Sequence, residues 1–144
     1  MNNYKFYGQD NCDVKVINNE YKQISNPKIL YDYLTNIWCE YTCAPRLRKD
    51  YSIKNKTLGQ CSITAFLVQD IFGGEVYGVD LKDGNYHCYN VIDNCVFDLT
   101  SEQFNHICEY KKQNLQSREE HFKKEEKYLR YLYLKKELRK KSNL

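Results

Sequence analysis

The chain is short of structural punctuation. Its 144 residues include 2 prolines, 6 glycines and 1 tryptophan. So little Pro and Gly excludes a collagen-like or Pro-rich linker protein. No apolar run approaches the ~20 residues needed to cross a bilayer, so no membrane-spanning segment is expected. The start, Met1-Asn2-Asn3-Tyr4-Lys5, has no basic stretch followed by an apolar one. The expectation is a cytoplasmic protein without a secretory signal. No C-x2-C knuckle is present, which argues against a structural zinc site. Charge of one sign is also scarce: 22 Lys/Arg face 19 Asp/Glu, for a net +3 that implies no partner by itself.

What is present suits one globular domain over residues 1–144, with a core over about 26–108 and a C-terminal helix over about 117–141. The sequence is 42% hydrophobic and 28% charged, which favours a packed core over disorder. Fourteen tyrosines outnumber 6 phenylalanines, and Tyr can stand half-buried with its hydroxyl in water. The 7 cysteines are Cys12, Cys39, Cys43, Cys61, Cys88, Cys95 and Cys108. An odd count without a signal peptide argues against a disulfide framework and for a reducing compartment. Most of these thiols are expected to be small buried hydrophobes. The basic excess is local. From Glu109 to Lys141 there are 12 Lys/Arg against 6 Glu. Acids precede bases at i,i+4 in Glu119/Lys123, Glu120/Lys124 and Glu126/Arg130, which reads as the solvated face of an amphipathic helix rather than a nucleic-acid surface.

The hydrophobic pattern predicts an α+β fold. Residues 1–24 have no strong period and suggest a short strand or an irregular arm. Asn26-Pro27 reads as an N-cap followed by Pro at the first helical position. Ile29, Leu30, Tyr33, Leu34, Ile37 and Trp38 then recur at helical spacing, to about Trp38 or Tyr41. Residues 42–59 read as a long loop, of the length usually reserved for a lid or binding wall. Cys61 to Phe72 is apolar around nearly the whole circumference of a helix, which marks a central buried helix. Gly73-Gly74 stops it. Strands follow at 75–81, 86–92 and 95–99, separated by Asp83-Gly84 and Asp93-Asn94, an antiparallel meander. Thr100 with Gln103, and Ser117 with Glu120, read as capping boxes. Tyr128, Leu129, Leu132, Leu134 and Leu138 form the apolar edge of the last helix. The architecture expected is a central buried helix packed on a small antiparallel sheet, with a C-terminal amphipathic helix.

That order brings three chemical groups into register. Cys61 opens the buried helix, His87 lies on the middle strand and Asp98 lies near the end of the next. A helix N-terminus presents partial positive charge and unbonded N–H groups, which stabilise a thiolate. An adjacent imidazolium lowers the thiol pKa further and can protonate a leaving group. A carboxylate behind the ring holds its tautomer. The Cys61 N–H can serve an oxyanion, and Gln60 can add a side-chain donor. Trp38 and Asn90 join Gln60 as candidate oxyanion or substrate-binding residues, although Asn90, three residues past His87, falls on the opposite strand face. His106 and His121 read as surface histidines. The bland alternative is a core cysteine, a satisfied strand histidine and a capping aspartate.

The sequence around these residues resembles the YunG-like family of small bacterial proteins. The resemblance is carried by Gly59-Gln60-Cys61-Ser62-Ile63-Thr64-Ala65 with Val68-Gln69-Asp70-Ile71-Phe72-Gly73-Gly74-Glu75. It continues in His87-Cys88-Tyr89-Asn90 and in Phe97-Asp98-Leu99-Thr100-Ser101-Glu102-Gln103-Phe104. Trp38 with Thr42-Cys43 is similar upstream, and Ser117-Arg118-Glu119 with Arg130-Tyr131 and Leu134 downstream. The sequence departs from the family at Cys88 and Tyr89, where Tyr and Trp are expected, and lacks a second Trp before Gly59. The resemblance implies a papain-like or transglutaminase-like core with Cys61, His87 and Asp98 as nucleophile, base and orienter.

The leading expectation is a thiol-dependent hydrolase or acyltransferase acting on an amide, isopeptide or thioester bond of a peptide, amide or acyl substrate, without a cofactor. A second is a catalytically silent binding module using the basic C-terminal helix for protein or nucleic-acid contact. A third is metal binding through Cys39, Cys43, Cys88 and Cys95.

Overall fold

The computed structural model describes residues 5–10 and 13–143. Helix α1 spans Pro27–Leu34, α2 Cys61–Phe72, α3 Arg118–Phe122 and α4 Glu125–Lys141. Strands β1 (Glu75–Asp80), β2 (Tyr86–Ile92) and β3 (Cys95–Phe97) form one antiparallel sheet in the order β1-β2-β3. The fold is α+β, as the hydrophobic pattern predicts. No described helix is long and apolar enough to cross a membrane.

Helix α2 is the centre. It packs chiefly on β2 and, from the other side, on α4, with a lesser contact to β1. Being covered from both sides explains its all-round apolar composition. Ile63, Phe66, Leu67, Val68 and Ile71 are fully buried, each side chain contributing about 1.5–3 kcal/mol by leaving water. Asn90 crosses between layers: its amide donates to the Ala65 carbonyl of α2 at 2.9 Å. The C-terminal helices are tied down by Asp70 near the end of α2. One Asp70 oxygen takes Arg118 at 2.6 Å and the other takes the Tyr131 hydroxyl. Arg118 also donates to the Phe66 carbonyl at 2.9 Å.

Several boundaries differ from the sequence pattern. Helix α1 ends at Leu34, although Ile37 and Trp38 remain buried in the turns that follow. Periodic burial continued past the helix because the turning chain keeps the same side toward the core. The segment after it is not featureless: 3-10 turns occupy Pro45–Asp50 and Ile53–Asn55. Strand β3 stops at Phe97, and a bridge from Tyr7 to Asp98 continues the ladder with the N-terminal arm. The single C-terminal helix expected is two, broken at residues 123–124. Ser117 does cap the first. The break rearranges the charge ladder: Glu120 pairs with Lys123, while Glu126 with Arg130 keeps the i,i+4 geometry. The buried edge of α4 is Arg130, Tyr131, Leu134 and Leu138; Tyr128, Leu129 and Leu132 are exposed. Thr100 does not cap the 3-10 turn at Ser101–Gln103 with its side chain.

The cysteine count also misled. Cys95 is disulfide-bonded, whereas Cys39, Cys43, Cys61, Cys88 and Cys108 are free. An odd total constrains the number of pairs, not whether one pair is close enough to bond. Cys12 lies outside the described residues.

Gly59 immediately precedes the Gln60-Cys61 step and takes φ +72°. A Cβ there would lie 2.6 Å from Cys43 Sγ and 2.9 Å from the Ala44 nitrogen. Gly84, in the β1–β2 turn, has φ +88° but open space around it. Both substitutions to Ala incur the left-handed backbone cost of roughly 1–2 kcal/mol. Gly59→Ala adds a clash with backbone. Urea unfolding is expected to show Gly59→Ala clearly more destabilised than Gly84→Ala; equal losses would contradict this packing.

Candidate active site

Cys61, the first residue of α2, is half-buried at the edge of a cavity of about 680 Å³. Gln60 precedes it as N-cap without capping through its side chain. The N–H groups of the first turn therefore keep no side-chain acceptor, and they face the end of the helix where Cys61 sits. The Cys61 thiol lies 3.9 Å from the Tyr86 carbonyl, at the start of β2.

The next residue on β2, His87, is buried and lines the same cavity as Cys61, and each of the two shifts the other's pKa. Its Nε2 lies 2.5 Å from Asp98 Oδ2. That leaves Nδ1 as the ring nitrogen available to sulfur. The sheet register explains the pairing. Asn90 opposes Phe97 and Val91 opposes Val96, so Asp98 follows on at the level of Tyr89 and is the diagonal same-face neighbour of His87. The edge of the ring at Phe104 meets His87 at 87° and 4.7 Å, fixing the imidazole from the side.

Asp98 is itself buried and has four donors. His87 and the Tyr110 hydroxyl, at 2.7 Å, share Oδ2; the Thr100 N–H and hydroxyl, at 3.1 and 3.2 Å, share Oδ1. A buried carboxylate is costly unless its lone pairs are used; here they are used. The bland reading of Asp98 as a cap for the turn at Thr100 named Thr100 among these partners; Tyr110 was not singled out in the sequence. Thr100 lies two residues on, the spacing of a local Asx turn, and was legible in principle. Tyr110 reaches back across a loop and was not.

The electrostatics follow. The Cys61 thiol is held well below its usual range, first by a hydrogen bond from the Cys88 side chain, against the opposing effect of burial, and then by the hydrogen bond and charge of His87. Cys88 moves the other way, raised by that same contact with Cys61 and by burial. It is the proton donor of the pair. Burial would lower the His87 pKa, but the charge and hydrogen bond of Asp98, aided by Cys61, raise it well above the usual value. These directions favour a charged Cys61–His87 pair. Cys88, where the resemblance implied Tyr, acts on the Cys61 thiol in a way that sequence reasoning missed.

The other sequence-predicted residues lie elsewhere. Gln60 is fully buried, and its amide donates to the Cys39 carbonyl at 3.1 Å, away from the cavity. The Trp38 indole donates to Thr64 Oγ1 at 3.0 Å. Asn90 is engaged with Ala65. None of the three lines the cavity; each supports α2 instead. His106 is exposed, as expected. His121 is not a surface histidine: it is half-buried in the cavity wall. The cysteines do not assemble, since no cluster of three His, Cys, Asp or Glu placed to hold a metal exists among the described residues.

A group whose folded pKa is depressed, as Cys61's is, contributes stability above its unfolded value, and that contribution is lost as pH falls toward the folded one. His87, raised, contributes below its unfolded value and loses it as pH rises. Both contributions operate between pH 6.5 and 9, where they oppose one another. Replacing Cys61 with Ala removes the first and only the lesser, Cys61-dependent part of the second, because Asp98 is the leading cause that raises His87. The stability advantage of the parent over Cys61→Ala should shrink as pH falls from 9 to 6, by at most ~1.4 kcal/mol per pH unit. Urea unfolding across that range checks it; a constant difference would mean an ordinary thiol.

Comparison with known proteins agrees with the resemblance in the sequence. The sequence profile of the family described as YunG protein matches residues 26–143. A protein of Bacillus subtilis (strain 168) carrying the name Uncharacterized protein YunG is 46% identical over 52 residues, covering 36% of this chain and 44% of that protein. The match thus spans less than half the length of that relative. No solved structure matches.

Proposed function

The chain belongs to the YunG family, and from the site it carries we propose that it is a thiol-dependent hydrolase or acyltransferase acting on an amide, isopeptide or thioester carbonyl. The observation that supports this reading is that Cys61 and His87 line one cavity, with the His87 ring held from behind by the buried Asp98. A helix-start thiol facing a strand imidazole is the arrangement of papain-like and transglutaminase-like enzymes, and the core is read as one of that kind.

In this mechanism the Cys61 thiolate attacks the substrate carbonyl carbon. Charge moves to the carbonyl oxygen, which the free N–H groups at the start of α2 are placed to receive. His87 gives its Nδ1 proton to the departing amine or thiol as the tetrahedral species collapses to an acyl-enzyme. The now neutral ring takes a proton from water, or from an acceptor amine, as that group attacks the thioester. Cys61 leaves as thiolate and His87 is again protonated. Asp98 stays a carboxylate throughout, holding Nε2–H and stabilising the imidazolium. Cys88 keeps its proton and supports the thiolate from the β2 side.

Intact-mass analysis after brief exposure to iodoacetamide at graded pH tests the reading. One fast adduct, located on Cys61 and formed well below the pKa of ~8.5 of a free thiol, is the expected result. Cys61→Ala should abolish it. Cys88→Ala should retain labelling but shift its pH profile upward, because the leading donor to the thiolate is gone. His87→Ala should shift it further toward that of a free thiol. Labelling spread evenly over the free cysteines, with no preference for Cys61, would overturn the proposal.

A further inference from the structure

The wall of the cavity facing the thiol is built by the segment leading into α4, and it carries an organised cation. Lys127 is half-buried and lines the same cavity as Cys61. No carboxylate among the described residues lies within ion-pair distance of it. Its ammonium instead donates to His121 Nδ1 at 2.8 Å. His121 Nε2–H in turn donates to Gln116 Oε1 at 2.7 Å, and the Gln116 amide donates to the Asn114 carbonyl at 2.8 Å. The relay settles the His121 tautomer as neutral, with its proton on Nε2. It also holds Lys127 in place while leaving two of its three N–H bonds unused by the relay.

The neighbouring charges sharpen the point. Burial and the charge of Lys127 push the His121 pKa down to about 4, so the ring accepts from the lysine rather than competing with it. Glu120 and Glu126 line the cavity too, but Glu120 is paired with Lys123 and Glu126 with Arg130. Burial lowers the Lys127 pKa; Cys88 and Cys61 oppose this, while Lys124 and Arg130 add to it. An ammonium held part-way out of water without a carboxylate partner is unfavourable on its own. An incoming anion would relieve that cost.

We infer that Lys127, positioned by His121 and Gln116, is the subsite for a carboxylate of the substrate, so that the preferred substrates are peptide-like amides bearing an acidic side chain or chain terminus close to the reacting carbonyl. The inference rests on the reading of Cys61 as the nucleophile. It adds a selectivity that the triad alone does not contain: cavity shape admits the chain, and Lys127 chooses by charge.

Two alkylating reagents of nearly the same shape separate these claims. Iodoacetate carries a carboxylate and iodoacetamide a neutral amide, and both lose iodide to a thiolate. The rate ratio of iodoacetate to iodoacetamide at Cys61, divided by the same ratio for N-acetylcysteine, removes differences in thiolate fraction. In the wild-type protein this normalised ratio should exceed one by about fivefold at low salt and fall toward one as salt is raised. Lys127→Gln should bring it to about one, and Lys127→Arg should retain the preference. Lys136→Gln removes the same charge from an exposed position outside the cavity and should leave the ratio unchanged. A wild-type ratio near or below one overturns the subsite, and that measurement needs no variant. A ratio equally high in Lys127→Gln overturns it as well. If neither reagent labels Cys61 faster than N-acetylcysteine, the nucleophile itself is wrong and the subsite falls with it.

Discussion

The buried contact between His87 and Asp98 organises the rest of the site. Both side chains are 1% exposed, so neither can rely on water for its charge. A carboxylate in that position is tolerable only because four donors converge on it. Those donors come from β2, the turn after β3 and the loop at Tyr110. The same bonds therefore hold three chain segments together. They also engage His87 Nε2 and leave the other ring nitrogen unused by Asp98.

The cavity beside the thiol is lined by segments far apart in the sequence: residues 44–47, Leu58 and Gly59 with the start of α2, the β1–β2 turn with the start of β2, Gln103 and Phe104, and residues 116–130. They are joined by Arg118 and Tyr131 on Asp70, and by Arg130, which is 2% exposed and donates to the Thr42 carbonyl at 2.9 Å. Residues of α3 and the start of α4 thus form a wall of the cavity, in a segment that the family profile, extending to residue 143, takes in.

Cys88 shows how a departure from a family pattern can be read physically. The residue next to His87 on β2 is buried under the start of α2. A thiol there serves as a short donor to Cys61, while its own proton becomes harder to remove. The two thiols are therefore unequal: Cys61, beside His87, is lowered, and the buried Cys88 is raised.

Periodicity and turn chemistry were enough to locate α2, its glycine stop, all three strands to within two residues and the cap at Ser117, because each depends on neighbours a few residues apart. They also ordered Cys61, His87 and Asp98, since antiparallel register follows from short turns. They failed where the outcome depended on contacts distant in sequence. Gln60, Trp38 and Asn90 looked available, but their side-chain nitrogens donate to Cys39, Thr64 and Ala65. His121 looked solvent-exposed, but the break between α3 and α4 turns it inward beside Lys127. Local patterns carry no information on which buried donor meets which acceptor. That choice is made only when the layers close, because every polar group removed from water must then find a partner in three dimensions.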